Sequence, residues 1–181
     1  AGKATEIVTC LKNQVEQSKQ ILIIRSKTET RELVNSFFKE GFKQVKEVTL
    51  DECVSELKLL SEFDIVAFMS ARDYYGCGYL LDAAQTFLYS NSEITGLSTY
   101  FSFDNKLKLI QNSETVMCEA LKASTIVGYA KNCCDKQFIQ KIISGGMITF
   151  NSPQYARFRF EYIERVVGCI SPEDKESVCF N

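Results

Sequence analysis

Five apolar residues in a row, Ile65-Val66-Ala67-Phe68-Met69, stand out in a chain whose other apolar positions are mostly spaced. Entered through Asp64, they predict a central strand buried on both faces of a parallel sheet. The run breaks at Ser70-Ala71-Arg72-Asp73, and Tyr79, Leu80, Leu81, Ala83, Ala84, Phe87 and Leu88 then recur at helical spacing. Strand, polar turn and helix follow one another. In open α/β sheets ligands bind beyond the carboxyl ends of such strands, so Ser70 to Gly78 is the first place to look for chemistry.

The same reading extends in both directions. Thr5 is placed to cap a helix with Ile7, Val8, Leu11 and Val15 on one face, followed by a strand over Gln20 to Ile24. A helix over Glu29 to Glu40 turns Leu33, Val34, Phe37 and Phe38 inward and ends at Gly41. Val45 to Leu50 predicts a strand, and Asp51 the cap of a helix burying Val54, Leu57, Leu59 and Leu60. This alternation predicts an α/β fold: a three-layer sandwich around one mixed, mainly parallel sheet. Ile21 to Ile24, Val45 to Leu50, Ile65 to Met69 and Ile94 to Phe103 are expected in that single sheet.

Beyond the central helix the period changes. Ile94 to Phe103 predicts a strand and Lys106 to Ile110 its hairpin partner. Ser113 to Lys131 fits neither period. Phe138 to Phe150 holds two apolar segments joined by Gly145-Gly146, where the missing Cβ atoms let a backbone or ligand come close; a bend beside the site is expected. Ser152-Pro153 predicts a helical turn, and Ser171-Pro172-Glu173-Asp174 a helix N-terminus.

Composition then narrows the function classes. At 181 residues and 45% hydrophobic content, the chain suits one domain with one core. The net charge of -2, with Lys and Arg scattered, argues against nucleic acid as a partner. No apolar segment approaches the roughly 20 residues of a membrane span, and the expected setting is cytoplasmic. Eight cysteines without a CxxC pair and without any histidine point to reduced thiols rather than a zinc site. Cys133-Cys134 has no neighbouring histidine to activate it as a nucleophile.

The succession D-I-V-A-F-x-x-x-x-D-Y-Y-G-x-G-Y-L-L-D, I-T-G-L-S-T-Y-F, S-G-G-M-I-T-F and P-E-D-K-E-S resembles bacterial nucleotide-diphospho-sugar glycosyltransferases of the GT-A fold, the family-two group. The resemblance runs from about Thr5 to the C-terminus. It implies transfer of a sugar from a nucleotide-diphosphate donor to a glycan or other hydroxyl acceptor, with other domains of a larger glycosyltransferase as partners; for an inactive module it implies a place in a larger polysaccharide-synthesis protein. It also implies donor binding by Ser70, Arg72, Asp73, Tyr74, Gly145 and Gly146, with Mg or Mn held by acids at the end of the central strand. Asp174, with Glu173 beside it, takes the place of the base that deprotonates the acceptor.

The departures are specific. The family's DxD-type acids are Ser70 and Arg72 here, leaving Asp73 as the sole carboxylate and metal ligand of that turn. The given residues start at or just before the first helix, so the family's first strand is expected either to precede them or to be lacking. Arg72 offers its positive fork to a diphosphate in place of the metal, or is a surface residue of a site that has lost its function. Asp73 is a residual ligand or a cap for the helix from Tyr79; Glu173 and Asp174 are catalytic acids or ordinary first-turn acids. Tyr74 and Tyr75 stack on a sugar or base, or one of them packs in the core. Gly76 and Gly78 serve a tight turn. A sugar transferase and an inactive GT-A-like binding or scaffolding module therefore both stand, and the eroded acids tilt toward the module.

Overall fold

The computed structural model describes residues 2–13, 20–24, 30–62, 64–104, 106–112, 116–157 and 162–165. Helix α1 (Gly2–Lys12) buries Ile7, Val8 and Leu11 as the spacing requires, but it starts ahead of Thr5, which is therefore not its cap. Strand β1 (Ile21–Ile24) pairs in parallel with β2 (Val45–Val48). Between them α2 (Thr30–Lys39) turns Phe37 into the core, where its ring meets Phe42 edge-on at 5.2 Å. Phe38, expected inside, is half exposed, because a stripe holding Leu33, Val34 and Phe37 leaves the next position pointing outward. Gly41 ends the helix at φ +89° with its N–H on the Phe38 carbonyl, the left-handed cap that favours glycine.

Helix α3 (Leu50–Lys58) is capped by Thr49 rather than Asp51. The Glu52 N–H donates to Thr49 Oγ1 at 3.3 Å and the Thr49 N–H to Glu52 Oε2 at 2.7 Å, a reciprocal capping box. Asp51 pairs instead with Lys136 at 2.6 Å. Cys53 and Leu57 face the core, whereas Leu59, expected inside, lies past the last turn and is 81% exposed.

Strand β3 (Ile65–Ala67) is shorter than its apolar run and stands at the edge of a five-stranded sheet ordered β3-β9-β5-β10-β8. Here β5 is Ile94–Gly96, β8 Met117–Lys122, β9 Val127–Tyr129 and β10 Met147–Ala156. The expected central strand is thus an outer one, paired antiparallel to β9 alone, and Ile65 is 44% exposed. Its partner comes from the segment that fits neither period, where a 3-10 turn at Ala123–Thr125 separates β8 from β9.

A four-stranded sheet, ordered β4-β11-β6-β7, contains β4 (Tyr74–Tyr75), β11 (Tyr162–Arg165), β6 (Thr99–Asp104) and β7 (Lys106–Gln111). The hairpin of β6 and β7 forms as predicted, with Thr99 opposite Gln111 and Asp104 opposite Lys106. The stretch from Ile94 to Phe103, however, is divided between two sheets at Leu97-Ser98. The four expected strands therefore do not share one hydrogen-bonded sheet. Among the described residues β1–β2, β5–β10 and β6–β11 are parallel, and the other five pairings are antiparallel, so the layers are mixed α/β with more antiparallel pairs than the alternation suggested.

Helix α4 (Tyr79–Ser90) buries Tyr79, Asp82, Ala83 and Thr86, a stripe that leaves Leu81 and Leu88 outside despite the sequence expectation. Short α5 (Ala130–Cys133) leads to α6 (Lys136–Ser144), which ends at Gly145. Ser152 and Pro153 lie in β10, not in a helical turn. They fall where the register to β8 shifts between Thr149 and Gln154, and such an irregularity accommodates a proline that cannot donate to the ladder. Two buried clusters result, one joining α3 and α6 to the five-stranded sheet and one joining α1, α2 and α4 to the four-stranded sheet. Among the described residues no helix is long and apolar enough to cross a membrane.

Candidate functional site

The turn after β3 is built by its own side chains. Ser70 Oγ accepts the Arg72 N–H at 3.2 Å, and the Asp73 N–H donates to the Ser70 carbonyl at 3.3 Å, which folds the chain back. The Tyr75 hydroxyl accepts the Ser70 N–H at 2.7 Å and donates to the Ser124 carbonyl at 2.9 Å. Tyr75 is fully buried, whereas Tyr74, on the opposite face of β4, is 46% exposed. Of the two tyrosines, Tyr75 is the core residue. Arg72 stands exposed on the rim and makes no ion pair among the described residues.

Asp73 goes inward. It is 7% exposed, and its Oδ2 accepts from Ser124 Oγ at 2.9 Å and from the Tyr162 hydroxyl at 2.7 Å, while these two hydroxyl oxygens are 2.8 Å apart. The expected role as cap of α4 is not what Asp73 does: the cap position is Gly78, which has no side chain to offer. Burial, and next the Asp73 charge, push the Tyr162 phenol well above the usual tyrosine range, so it remains a donor. The same two causes raise Tyr75.

The 3-10 turn and its flanks tie the site together, residue by residue. The Lys122 N–H donates to the Leu97 carbonyl at 2.7 Å, and its ammonium, almost wholly buried, pairs with Glu164 and lies over the Tyr100 ring. The Ala123 N–H donates to the Gly146 carbonyl at 2.9 Å. Ser124 holds Asp73 and Tyr162. Thr125 accepts the Leu97 N–H on Oγ1 at 2.9 Å and, on its carbonyl, the Tyr79 hydroxyl and an Arg157 N–H, both at 3.1 Å. The Ile126 carbonyl accepts the Phe68 N–H at 2.9 Å. The turn at 70–78 and the Gly145-Gly146 bend are thus joined through one short hub.

Arg157, 2% exposed, lies behind the hub with its guanidinium carbon 4.7 Å above the Tyr79 ring. One amino group donates to the Tyr79 hydroxyl at 2.9 Å and the other lies 3.9 Å from Asp82, while Nε is buried with no hydrogen-bond partner among the described residues. Burial raises the Tyr79 phenol, and the adjacent guanidinium opposes that shift.

Of the residues expected at the site, Ser70, Asp73 and the Gly145-Gly146 bend are brought to the hub, with Arg72 and Tyr74 at its rim. Gly145 and Gly146 adopt φ +78° and +81°, and a Cβ built on either would meet nothing within 4 Å. Their glycines answer to backbone conformation and not, as expected, to a close approach. Glu173 and Asp174 lie outside the described residues. Lys122, Ser124, Arg157, Tyr162 and Glu164 were not foreseen. The one signal is the polar and apolar alternation from Arg157 to Tyr162, which breaks at Ile163 and so does not reach Glu164.

The donors do not fit the Mg or Mn that the resemblance implies. Asp73 Oδ2 already receives two hydroxyl protons in a buried position, Ser70 Oγ accepts a backbone N–H, and Arg72 is a cation. Among the described residues no group of three or more His, Cys, Asp or Glu is arranged to hold a metal.

The architecture is that of a GT-A-type glycosyltransferase fold. It is similar to S. aureus TarS: to residues 1–349 with a TM-score of 0.57, 13% identity and 91% of this chain covered, and to the same segment in complex with UDP-GlcNAc with a TM-score of 0.57, 16% identity and 97% covered. A further TarS structure matches with a TM-score of 0.57, 16% identity and 98% of this chain. The chain spans 57%, 60% and 36% of those three chains respectively. No protein-family model and no curated protein matches the sequence.

Proposed function

We propose that the chain is a glycosyltransferase-type domain that binds a nucleotide-diphosphate sugar at the 70–78 turn, with Arg72 and not a metal opposite the diphosphate. The observation that carries this reading is Arg72 itself: an exposed cation without an ion pair among the described residues, on a turn whose backbone is fixed by Ser70 and Tyr75. A planar guanidinium takes two phosphate oxygens at once and needs no metal to do so. The UDP-GlcNAc complex of TarS, covering 97% of this chain, supports the donor class. Tyr74 offers an exposed ring at the same rim.

In this reading Asp174, with Glu173 beside it, deprotonates the hydroxyl of a glycan acceptor. The domain works in the cytoplasm as part of a larger bacterial polysaccharide-synthesis protein; the six described cysteines, all free thiols, support a reducing setting. The burial of Asp73 under two hydroxyls favours a second reading, a domain that binds or scaffolds without transferring sugar.

A thermal-shift screen with uridine, guanosine, cytidine and thymidine diphosphates tests the proposal. One diphosphate at 100 times its dissociation constant is expected to stabilise the fold by about 2.7 kcal/mol with EDTA present. The shift should vanish in Arg72→Ala. No shift with any of the four, or a shift unchanged in Arg72→Ala, would overturn it. Binding without turnover of the matching nucleotide sugar would select the module.

A further inference from the structure

Strand β11 is fastened by more than its ladder. It lies between β4, antiparallel, and β6, parallel, and two of its side chains on one face reach across to the hub. Tyr162 is fully buried, its ring packed near Tyr75 and Tyr100, and its hydroxyl occupies the Asp73 carboxylate. Two residues on, Glu164 pairs with buried Lys122. The Tyr162 hydroxyl also lies 2.8 Å from Ser124 Oγ, so both side chains reach residues 122–124, the segment that also holds the Gly146 carbonyl and the 70–78 turn. A ligand atom that seeks Asp73 Oδ2 must first displace the Tyr162 proton and the Ser124 proton.

We propose that β11 is a built-in clasp that keeps the 70–78 turn and the hub closed, with the Tyr162 hydroxyl as an autoinhibitory stand-in for a ligand on Asp73. This rests on the reading of the turn as a nucleotide-diphosphate site and adds how that site is regulated. Closed and open arrangements exchange, and the apparent affinity of a nucleotide is reduced by the fraction of molecules that is open. The Glu164–Lys122 pair sets that fraction together with Tyr162, since both fasten the same strand. Anything that draws β11 away, such as an adjoining segment or a partner bound to its face, would raise affinity at the turn without touching the nucleotide.

Amide hydrogen exchange without ligand reads the clasp, and a UDP titration reads its effect on binding. In Tyr162→Phe, exchange at residues 72–76 and 122–126 is expected to rise at least tenfold while α3 and α6 stay protected, because the opening is local. UDP is expected to bind the variant at least tenfold more tightly than the unmodified chain. Ser124→Ala, which removes the other donor to Asp73, should act in the same direction and serves if the first variant does not fold. Unchanged exchange overturns the clasp. Raised exchange with equal or weaker UDP binding shows a brace and not an inhibitor, and also overturns it. Equal binding by both proteins leaves the nucleotide reading standing, whereas binding by neither removes both.

Discussion

The carboxylate of Asp73 and the hydroxyl of Tyr162 meet at 2.7 Å across 89 positions of sequence, and this contact joins the turn after β3 to an inner strand of the four-stranded sheet. Because both groups are buried, losing Asp73 takes one hydrogen bond each from Tyr162 and Ser124 and leaves those two hydroxyls only each other. Asp73→Ala is expected to cost about 3 kcal/mol, the worth of a hydrogen-bonded buried charge. Urea denaturation should show a lower midpoint with an unchanged slope. Arg72→Ala, one residue away on the surface, should stay within about 0.5 kcal/mol of the unmodified chain. Equal effects of the two would contradict the buried network.

Arg157 braces α4 against the hub by a stacked ring, two donated bonds at about 3 Å and the charge of Asp82. Arg157→Ala is expected to destabilise by about 3–5 kcal/mol, as removal of one member of a buried charged cluster does. Arg157→Lys should recover little, because an ammonium cannot stack on Tyr79 and reach both Tyr79 and Thr125 as a planar fork does. A lysine variant with full stability in urea would show that charge alone suffices.

Alkali is expected to unfold the chain by a buried-phenol route. Burial, and next the Glu164 charge, push Tyr100 up to about 12, and burial, and next Cys134, push the Cys133 thiol up to about 12; Tyr75, Tyr79 and Tyr162 move in the same direction. The fold keeps the neutral forms. Stability is therefore complete below the ordinary values of 9.0 for the thiol and 10.0 for the phenols, and falls as pH rises from there towards about 12. Tyrosine ionisation followed by ultraviolet difference absorbance should show a late step coincident with loss of circular dichroism. Complete ionisation near pH 10 in the folded protein would refute this.

Gly128 in β9 has no room for a methyl group. A Cβ there would lie 2.8 Å from Cys133 Sγ and 3.2 Å from the Glu93 carbonyl oxygen. Gly128→Ala is expected to cost about 1–3 kcal/mol through overpacking. Cys133→Ala should offset part of that loss in the double variant, a coupling that a cycle of denaturation free energies would measure. Additive losses would mean that the Glu93 carbonyl, and not the thiol, sets the cost.

Local patterns were enough to place most elements. The stripe of Ile7, Val8 and Leu11, the left-handed stop at Gly41 and the hairpin of β6 and β7 follow from spacing and turn chemistry that neighbouring residues settle among themselves. The polar turn at Ser70 to Asp73 and the bend at Gly145-Gly146 were legible for the same reason. An unbroken apolar run is less informative. Phe38 and Leu88 are exposed because a helix buries one stripe, and which stripe depends on the neighbour it meets, while Leu59 is exposed because α3 ends before it.

Tertiary structure alone decided the partners. Ile65 to Ala67 reads as a central strand, yet its neighbour is Val127–Tyr129, drawn from a stretch with no clear period, and this leaves it at a sheet edge. Asp73 reads from sequence as a helix cap before it reads as a ligand; only the arrival of Ser124 and Tyr162 from 51 and 89 positions away turned it inward. Period and turn chemistry are properties of a few consecutive residues, so the sequence by itself determines them. The fate of a buried charge depends on which distant groups can satisfy it, and only the assembled chain brings those within 3 Å of one another.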